Sequence, residues 1–245
     1  MLDQLIAEAP RFYTYYNVLF LGQAGLNTLL VSFLGCLIGY LAGLLLATVR
    51  LPQVIPWRPV RVASLLWSEL FRRIPFLVLL LCVFFGFQLS GAETGLFTIA
   101  VTAVALRMSA LAAENVRAGY EAINPRQWDA ALTMNLPPLT ALVRVILPQA
   151  WRVILPPSTM HTLSMIKETS LVSQIGFLEL TFAARMLTQR GFSALICFGT
   201  VLVLYFVISW SFATLGRYAE RKLVHEARGK RADTLAGPIA REVPG

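Results

Sequence analysis

The sequence predicts an all-α integral membrane protein with about five transmembrane helices. Its 245 residues are 57% hydrophobic and only 14% charged, whereas soluble domains average roughly 45–50% and 25%. The mean hydropathy is +0.66. A soluble chain of this length has no core large enough to bury so much apolar surface, and the same composition excludes a disordered chain or a disulfide-stapled scaffold.

Five apolar segments account for this fold class. A helix needs about 20 mostly apolar residues to cross the hydrocarbon core of a bilayer. The predicted spans are 25–49, 74–89, 95–113, 158–180 and 194–215. The second span is short, and the apolar helical stretch before it, 62–71, either lies in the membrane interface or lengthens that span. The spans give one transmembrane domain, 25–217, between an N-terminal segment, 1–24, and a basic tail, 218–245.

The distribution of positive charge predicts the orientation of the spans. Of the 21 Lys and Arg residues, 16 fall in segments on one side of a five-span arrangement, three on the other side, and two within spans. Segments rich in Lys and Arg remain on the cytosolic side of a membrane. We therefore expect an external N-terminus and a cytosolic C-terminus, with 114–157 as the longest cytosolic loop.

The loop 114–157 contains the pattern of a short helix that ends in a tight turn. Residues 128–134 predict the helix, and Asp129 favours its start, either as the cap or in the first turn near the positive end of the helix dipole. Asn135 is suited to end the helix in a left-handed conformation. The two prolines that follow fix the direction of the turn.

A second amphipathic helix is predicted after this turn, over 139–145, and is expected to end at Ile146-Leu147-Pro148. Two short helices joined by a rigid turn form a hairpin between two spans. Such a hairpin is either a docking element that sits in a groove of a partner protein or an ordinary interfacial hairpin. The residues by themselves leave both interpretations open.

The run from residue 129 to residue 148, DAALTMNLPPLTALVRVILP, resembles the EAA loop of permease subunits of bacterial ABC importers. That loop reads E-A-A, three residues, G, nine residues and I-x-L-P. With every spacing kept, the matching residues are Asp129, Ala130 and Ala131, then Asn135, and finally Val145, Leu147 and Pro148. Asp in place of Glu preserves the charge, and Asn in place of Gly preserves the capacity to turn.

Further runs resemble the polar amino-acid branch of that family, which includes histidine, glutamate and glutamine permeases. They are VILPQAWRVILPP followed by IKETSLVSQIG, and ELFRRIPFLVLLLCVFFGF in the second span. The similarity extends over about 22–217. It implies the type I importer fold, a translocation path for a polar amino acid such as glutamate or aspartate, and an EAA loop that seats in a groove of an ATPase.

The resemblance also implies the partners of the chain. Two cytosolic ABC ATPase subunits, a second permease that is identical or related, and a periplasmic amino-acid-binding protein complete the importer in the bacterial inner membrane. The chain itself has no GxxxxGK[ST] motif, which forms the phosphate-binding loop of such ATPases. We therefore expect a transport subunit without enzymatic activity, metal site or cofactor of its own and without a nucleic-acid partner, while the ATPase binds ATP and Mg²⁺.

Polar side chains within the predicted spans are the candidates for the substrate path, because charges inside a membrane usually face a cavity or a partner. The candidates are Arg107, Lys167, Glu168, Thr169 and Ser170. Arg107 either attracts an anionic group or pairs with an acid of a neighbouring helix. Lys167 either meets a substrate carboxylate or extends to the cytosolic interface. Glu168 points about 100° away from it, and either receives an amino group or bridges to Arg107 or another helix. The two hydroxyls either line the path or bond to their own helix.

Two other classes of membrane protein fit the composition. A secondary transporter driven by an ion gradient would have more spans, an internal repeat and often acids at mid-membrane. A membrane scaffold without transport activity leaves the EAA spacing unexplained. A bound ATPase with a phosphate-binding loop would separate both from the importer.

Overall fold

The computed structural model describes residues 8–235 and the side chains of residues 8–222. This part of the chain consists of helices and short connections, without a β-strand. In chain order the elements are α1 (Tyr15–Val49), α2 (Arg58–Arg73), α3 (Phe76–Leu89), α4 (Leu96–Glu121), α5 (Arg126–Thr133), α6 (Pro138–Ala141), a π turn (Leu142–Ile146), α7 (Leu147–Glu168), a 3-10 segment (Thr169–Ile175), α8 (Leu180–Gln189) and α9 (Ala194–Leu235).

Four of the described helical stretches are long and apolar enough to cross a membrane. They are Tyr15–Val49, Leu96–Glu121, Pro138–Ile175 and Ala194–Lys222. The pair α2–α3 passes the same test as a unit but is bent by 111° at its break. Counting that pair as one broken span gives five, which confirms the predicted fold class. Because of the bend, the stretch 62–71 does not lengthen the second span in a straight line.

Several helices continue beyond the predicted spans, because a helix extends wherever its backbone groups find partners and not only where it is apolar. α1 begins at Tyr15, so much of the segment 1–24 is helical, although residues 1–7 lie outside the described range. α4 runs eight residues beyond 113, where Asn115 donates a hydrogen bond to the Ile154 carbonyl at 2.9 Å. α9 starts at Ala194 as predicted but continues past 215, and 236–245 of the tail lie outside the described range.

α1 and α4 form the most extensive helix pair of the bundle. Gly35, Gly39 and Gly43, spaced four residues apart, present one face of α1 to α4. A Cβ atom at each position would lie within 2.4–2.5 Å of a side-chain atom of α4. The missing side chains therefore let the two backbones approach closely, as small residues do between helices in membranes.

The first helix of the 114–157 loop forms close to its predicted place. α5 spans Arg126–Thr133, two residues ahead of the predicted start. Asp129 lies in its first turn, while Pro125 occupies the cap position. Asn135 has φ 55° and is the only non-glycine residue with positive φ in the described range, which confirms the left-handed turn. The Leu136 N–H then donates to the Ala131 carbonyl at 3.1 Å and closes the helix end.

The second helix does not end at Leu147-Pro148, which corrects the prediction. α6, the π turn, α7 and the 3-10 segment form one continuous helical stretch, Pro138–Ile175, which contains the fourth candidate span. Pro148 has no N–H to donate, and the wider π turn directly before it accommodates the ring without ending the helix. This helical stretch therefore begins well before 158. It ends at Gly176, which has φ 84°, rather than at 180.

Candidate translocation site and loop surface

The break between α2 and α3 is held by an arginine from α4. The Arg107 Nη1 atom donates to the carbonyls of Phe71, Arg72 and Ile74 at 2.9, 2.6 and 3.2 Å. The last carbonyls of a helix have no partners within the helix, so the guanidinium satisfies the end of α2. Arg107 lies near the middle of α4, which places the break near mid-height of the bundle.

The remaining donor atoms of Arg107 are not all used. Its Nε atom is buried and has no hydrogen-bond partner among the described residues. Of the two alternatives for Arg107, the ion pair with an acid of a neighbouring helix is absent from the same part of the chain. The arginine is therefore anchored through one end of its guanidinium, while its buried Nε atom is left without a partner in the described range.

Glu168 is the last residue of α7, and the 3-10 segment begins directly after it. Its Oε2 atom is buried without a hydrogen-bond partner among the described residues. The charge of Arg107 acts on both the Glu168 carboxylate and the His161 imidazole, but no ion pair links the two charged groups in the described range. The 3-10 segment that follows Glu168 contacts α3, so the carboxylate and the broken span belong to one region.

The other predicted path residues are placed differently. The Lys167 side chain is exposed on the described chain, whereas its neighbour Glu168 is half-buried. The Thr169 hydroxyl is buried and donates to the Ile166 carbonyl at 2.7 Å, which is the bond to its own helix that sequence reasoning considered. Ser170 is half-buried, and its carbonyl accepts from the Ser173 hydroxyl. The structure therefore leaves Lys167 on the surface and places Arg107 and Glu168 partly inside the bundle, each with one buried atom that has no partner in the described range.

The loop that resembles the EAA motif separates its two alanines. Ala131 is completely buried on the face of α5 that packs against α6 and the π turn. Asp129, Ala130 and Asn135 are exposed. The apolar side chains around them are exposed as well: 53% for Leu132, 63% for Met134, 57% for Leu139 and 54% for Val143. Leu147 and Pro148 lie at the start of α7, beyond the π turn. Only Ala130 of the alanine pair is therefore open to a partner.

Sequence reasoning missed Glu179, the most deeply buried acid of the described chain. It is 1% exposed and accepts bonds from the Thr181 N–H, the Phe182 N–H and the Tyr205 hydroxyl at 2.8, 2.7 and 2.8 Å. It lies outside the membrane-crossing stretches, and burial raises its pKa while these donors lower it. An acid directly before an apolar helix is the usual signal of a helix N-cap, and this signal at α8 could have identified it.

A span that is broken beside buried charges is also a feature of transporter folds. The family model of binding-protein-dependent transport system inner membrane components matches residues 37–223, and the chain belongs to this family. The family confirms the permease class and does not support an ion-gradient-driven transporter. No direct test of the EAA loop follows from it, so the role of the loop stays a prediction.

Individual relatives agree with this assignment. The chain is 32% identical to the L-cystine transport system permease protein TcyB of Bacillus subtilis over 80% of this chain and 83% of the relative. It is 28% identical to the probable glutamine ABC transporter permease protein GlnP of the same organism, over 85% and 95%. A crystal structure of an amino acid ABC transporter with histidines is similar with a TM-score of 0.75 and 32% identity, over 84% and 94% of the two chains.

Proposed function

We propose that this chain forms, with a second identical or related permease, the path by which an ABC importer takes up a polar amino acid. The observation that carries the proposal is the pair of buried atoms without partners, Arg107 Nε and Glu168 Oε2. A free amino acid carries a carboxylate and an ammonium group, which complement a guanidinium and a carboxylate. Buried charges need such partners, because an unpaired charge in an apolar surrounding is costly.

The broken span supports the position of this path. Helices that are interrupted at mid-membrane depth supply substrate sites in other transporter folds. Here the carbonyls at the end of α2 accept hydrogen bonds from Arg107. The break therefore orients the guanidinium, and its carbonyls do not bind the substrate. The cystine, glutamine and histidine named for the relatives fit a zwitterion as the substrate.

The loop surface supports coupling to a partner ATPase. Exposed apolar side chains on a short helix are suited to a groove on another protein, and α5 presents Leu132 and Met134 beside Asp129 and Ala130. In this proposal the loop and the C-terminus face the cytosol of a bacterium and the N-terminus faces the periplasm, in agreement with the charge distribution. Two ATPase subunits bind ATP and Mg²⁺, and a periplasmic binding protein delivers the amino acid.

Uptake by the complete importer in ATP-loaded proteoliposomes tests the path, with labelled cystine, glutamine and histidine as probes. Glu168→Gln should lower the apparent affinity for the transported amino acid about 10- to 150-fold, because a hydrogen bond to a charged group contributes roughly 1.5–3 kcal/mol. The matched control is Glu93→Gln, which changes an exposed carboxylate in the α3–α4 connection and should leave uptake unchanged.

Two results would contradict the proposal. Unchanged affinity in both Glu168→Gln and Arg107→Gln, with the ATPase still bound, would exclude these residues from the path. Uptake that proceeds without ATP and collapses with an ion gradient would exclude the importer mechanism itself. ATP-dependent uptake of a sugar or an inorganic ion, without uptake of any amino acid, would exclude the substrate class.

A further inference from the structure

A second group of charged residues lies in a cavity of about 520 Å³, away from the proposed path. It is formed by the end of α1, the first half of α2 and the last turns of α4, at the end of the bundle that continues into α5. Four arginines line it: Arg50, Arg58, Arg61 and Arg117. So many cations in one cavity require carboxylates or another anion.

Two of these arginines are neutralised within the chain. Glu114 pairs with Arg50 at 3.1 Å and with Arg117 at 2.5 Å. Arg117 also pairs with Glu121. The third acid of the cavity, Glu69, is occupied by Arg72 and Arg73 from the end of α2. Every carboxylate that lines the cavity therefore already has a partner.

Arg58 and Arg61 are left without an ion pair among the described residues. The Arg61 Nε atom is moreover buried and has no hydrogen-bond partner in that range. Both arginines lie in the first turn of α2, which contains no acidic residue and has no side-chain cap. Cations at the positive end of a helix dipole repel it, so this end of α2 has a surplus of positive charge that favours an anion.

We propose that this cavity binds the phosphate group of an anionic phospholipid. Phosphate is the anion that arginines and a helix N-terminus recognise together. Val62 and Leu65 line the same cavity and are 54% and 49% exposed, so an apolar surface lies next to the free cations. The exposed Trp57 precedes the helix, and tryptophan is typical of the headgroup level. The apolar side favours a phosphate that carries acyl chains over a free phosphate ion.

Lipid retention by the purified full-length chain tests this site. The chain is reconstituted with phosphatidylcholine alone or with added phosphatidylglycerol, and bound lipid is measured by native mass spectrometry. The double variant Arg58→Gln/Arg61→Gln should bind phosphatidylglycerol about 30-fold more weakly, whereas Arg58→Lys/Arg61→Lys should retain most of the affinity. The matched control, Arg152→Gln/Arg185→Gln, removes two exposed arginines outside the cavity and should leave lipid binding unchanged.

Competition with inorganic phosphate separates the two sources of the anion. Displacement of phosphatidylglycerol only at far higher phosphate concentration supports the lipid, whereas equal affinities would overturn the assignment to a lipid. An unchanged preference for phosphatidylglycerol in the glutamine double variant would overturn the site. Thermal unfolding of both double variants in phosphatidylcholine shows whether they are folded. If the glutamine double variant is not folded, the single variants Arg58→Gln and Arg61→Gln are measured instead, and each should bind phosphatidylglycerol about fivefold more weakly; unchanged binding in both would overturn the site. This outcome is independent of whether the chain transports an amino acid.

Discussion

Two carboxylates that are eleven residues apart in sequence differ in how completely the bundle satisfies their hydrogen bonds. Glu179 accepts three hydrogen bonds and is 1% exposed. Glu168 keeps a buried Oε2 atom without a partner in the described range. Buried polar groups are almost always hydrogen-bonded in proteins, so the first acid follows the rule and the second departs from it. A complete set of bonds indicates a structural acid, whereas an incomplete set indicates a group that binds something else.

The same contrast separates two arginines of the bundle. Arg50 has a side chain that is 8% exposed, and it is bonded to Glu114 and to the Ser64 carbonyl. Arg107 anchors three carbonyls but keeps its buried Nε free of any partner in the described chain. Both arginines are therefore held by the bundle, but Arg107 differs from Arg50 in keeping one buried nitrogen atom without a partner in the described range. Variants of the fully bonded and the incompletely bonded residues therefore test whether an unsatisfied buried charge marks a residue that functions in transport.

The largest effect is expected from removing the structural acid. Glu179→Ala leaves the Thr181 N–H, the Phe182 N–H and the Tyr205 hydroxyl without their acceptor, and a buried donor left unsatisfied costs about 1–3 kcal/mol. Glu168→Ala leaves no donor unsatisfied at Oε2, because the Oε2 atom of Glu168 accepts no hydrogen bond in the described range. Thermal unfolding of the purified chain should therefore show a strong loss of stability for Glu179→Ala and little change for Glu168→Ala.

Amino-acid uptake should rank the variants of Glu168 and Glu179 in the reverse order of thermal unfolding. Glu168→Ala should abolish high-affinity uptake while the protein remains folded. Glu179→Gln, which keeps the shape and one acceptor, should transport in proportion to the amount of folded protein. Equal losses of stability in the two alanine variants would break the comparison, because they would show that both acids have the same structural role.

A smaller effect is expected from the two alanines of α5, which repeat the contrast on the loop. Ala131 is completely buried against its own chain, whereas Ala130 is exposed. Ala131→Arg should destabilise the loop by about 1–3 kcal/mol through overpacking. Ala130→Arg should leave the loop folded and weaken binding of the partner ATPase.

Hydrogen exchange of the loop and a binding titration with the ATPase separate these two effects. Faster exchange is expected only for Ala131→Arg. Normal ATPase binding by Ala130→Arg would show that this face of α5 is not the docking surface. The opposite assignment, with Ala131 at the partner, would require the buried face of α5 to open.

The sequence allowed prediction of the elements that depend on local chemistry. Apolar length predicted the spans, and Asn135 predicted the left-handed turn, which the structure confirms. The helix through Pro148 could not be predicted, because a proline ends most helices and the π turn that accommodates it depends on packing. The bonds of Arg107 also required the fold, since its partners are backbone carbonyls of α2 and backbone carbonyls leave no signature in a sequence.

The smallest effect is expected at Asn135, whose backbone conformation rather than its exposed side chain shapes the loop. The residue has φ 55°, and a left-handed conformation costs ordinary residues about 1–2 kcal/mol. Asn135→Val should therefore weaken ATPase binding by roughly tenfold, without changing thermal unfolding of the bundle. Asn135→Gly adopts this conformation freely and should bind the ATPase as the natural chain does. A titration with the ATPase decides whether the backbone conformation or the side chain of Asn135 matters. If the glycine variant loses as much affinity as the valine variant, the Asn135 side chain itself contacts the partner. The docking surface would then extend from Ala130 to the turn.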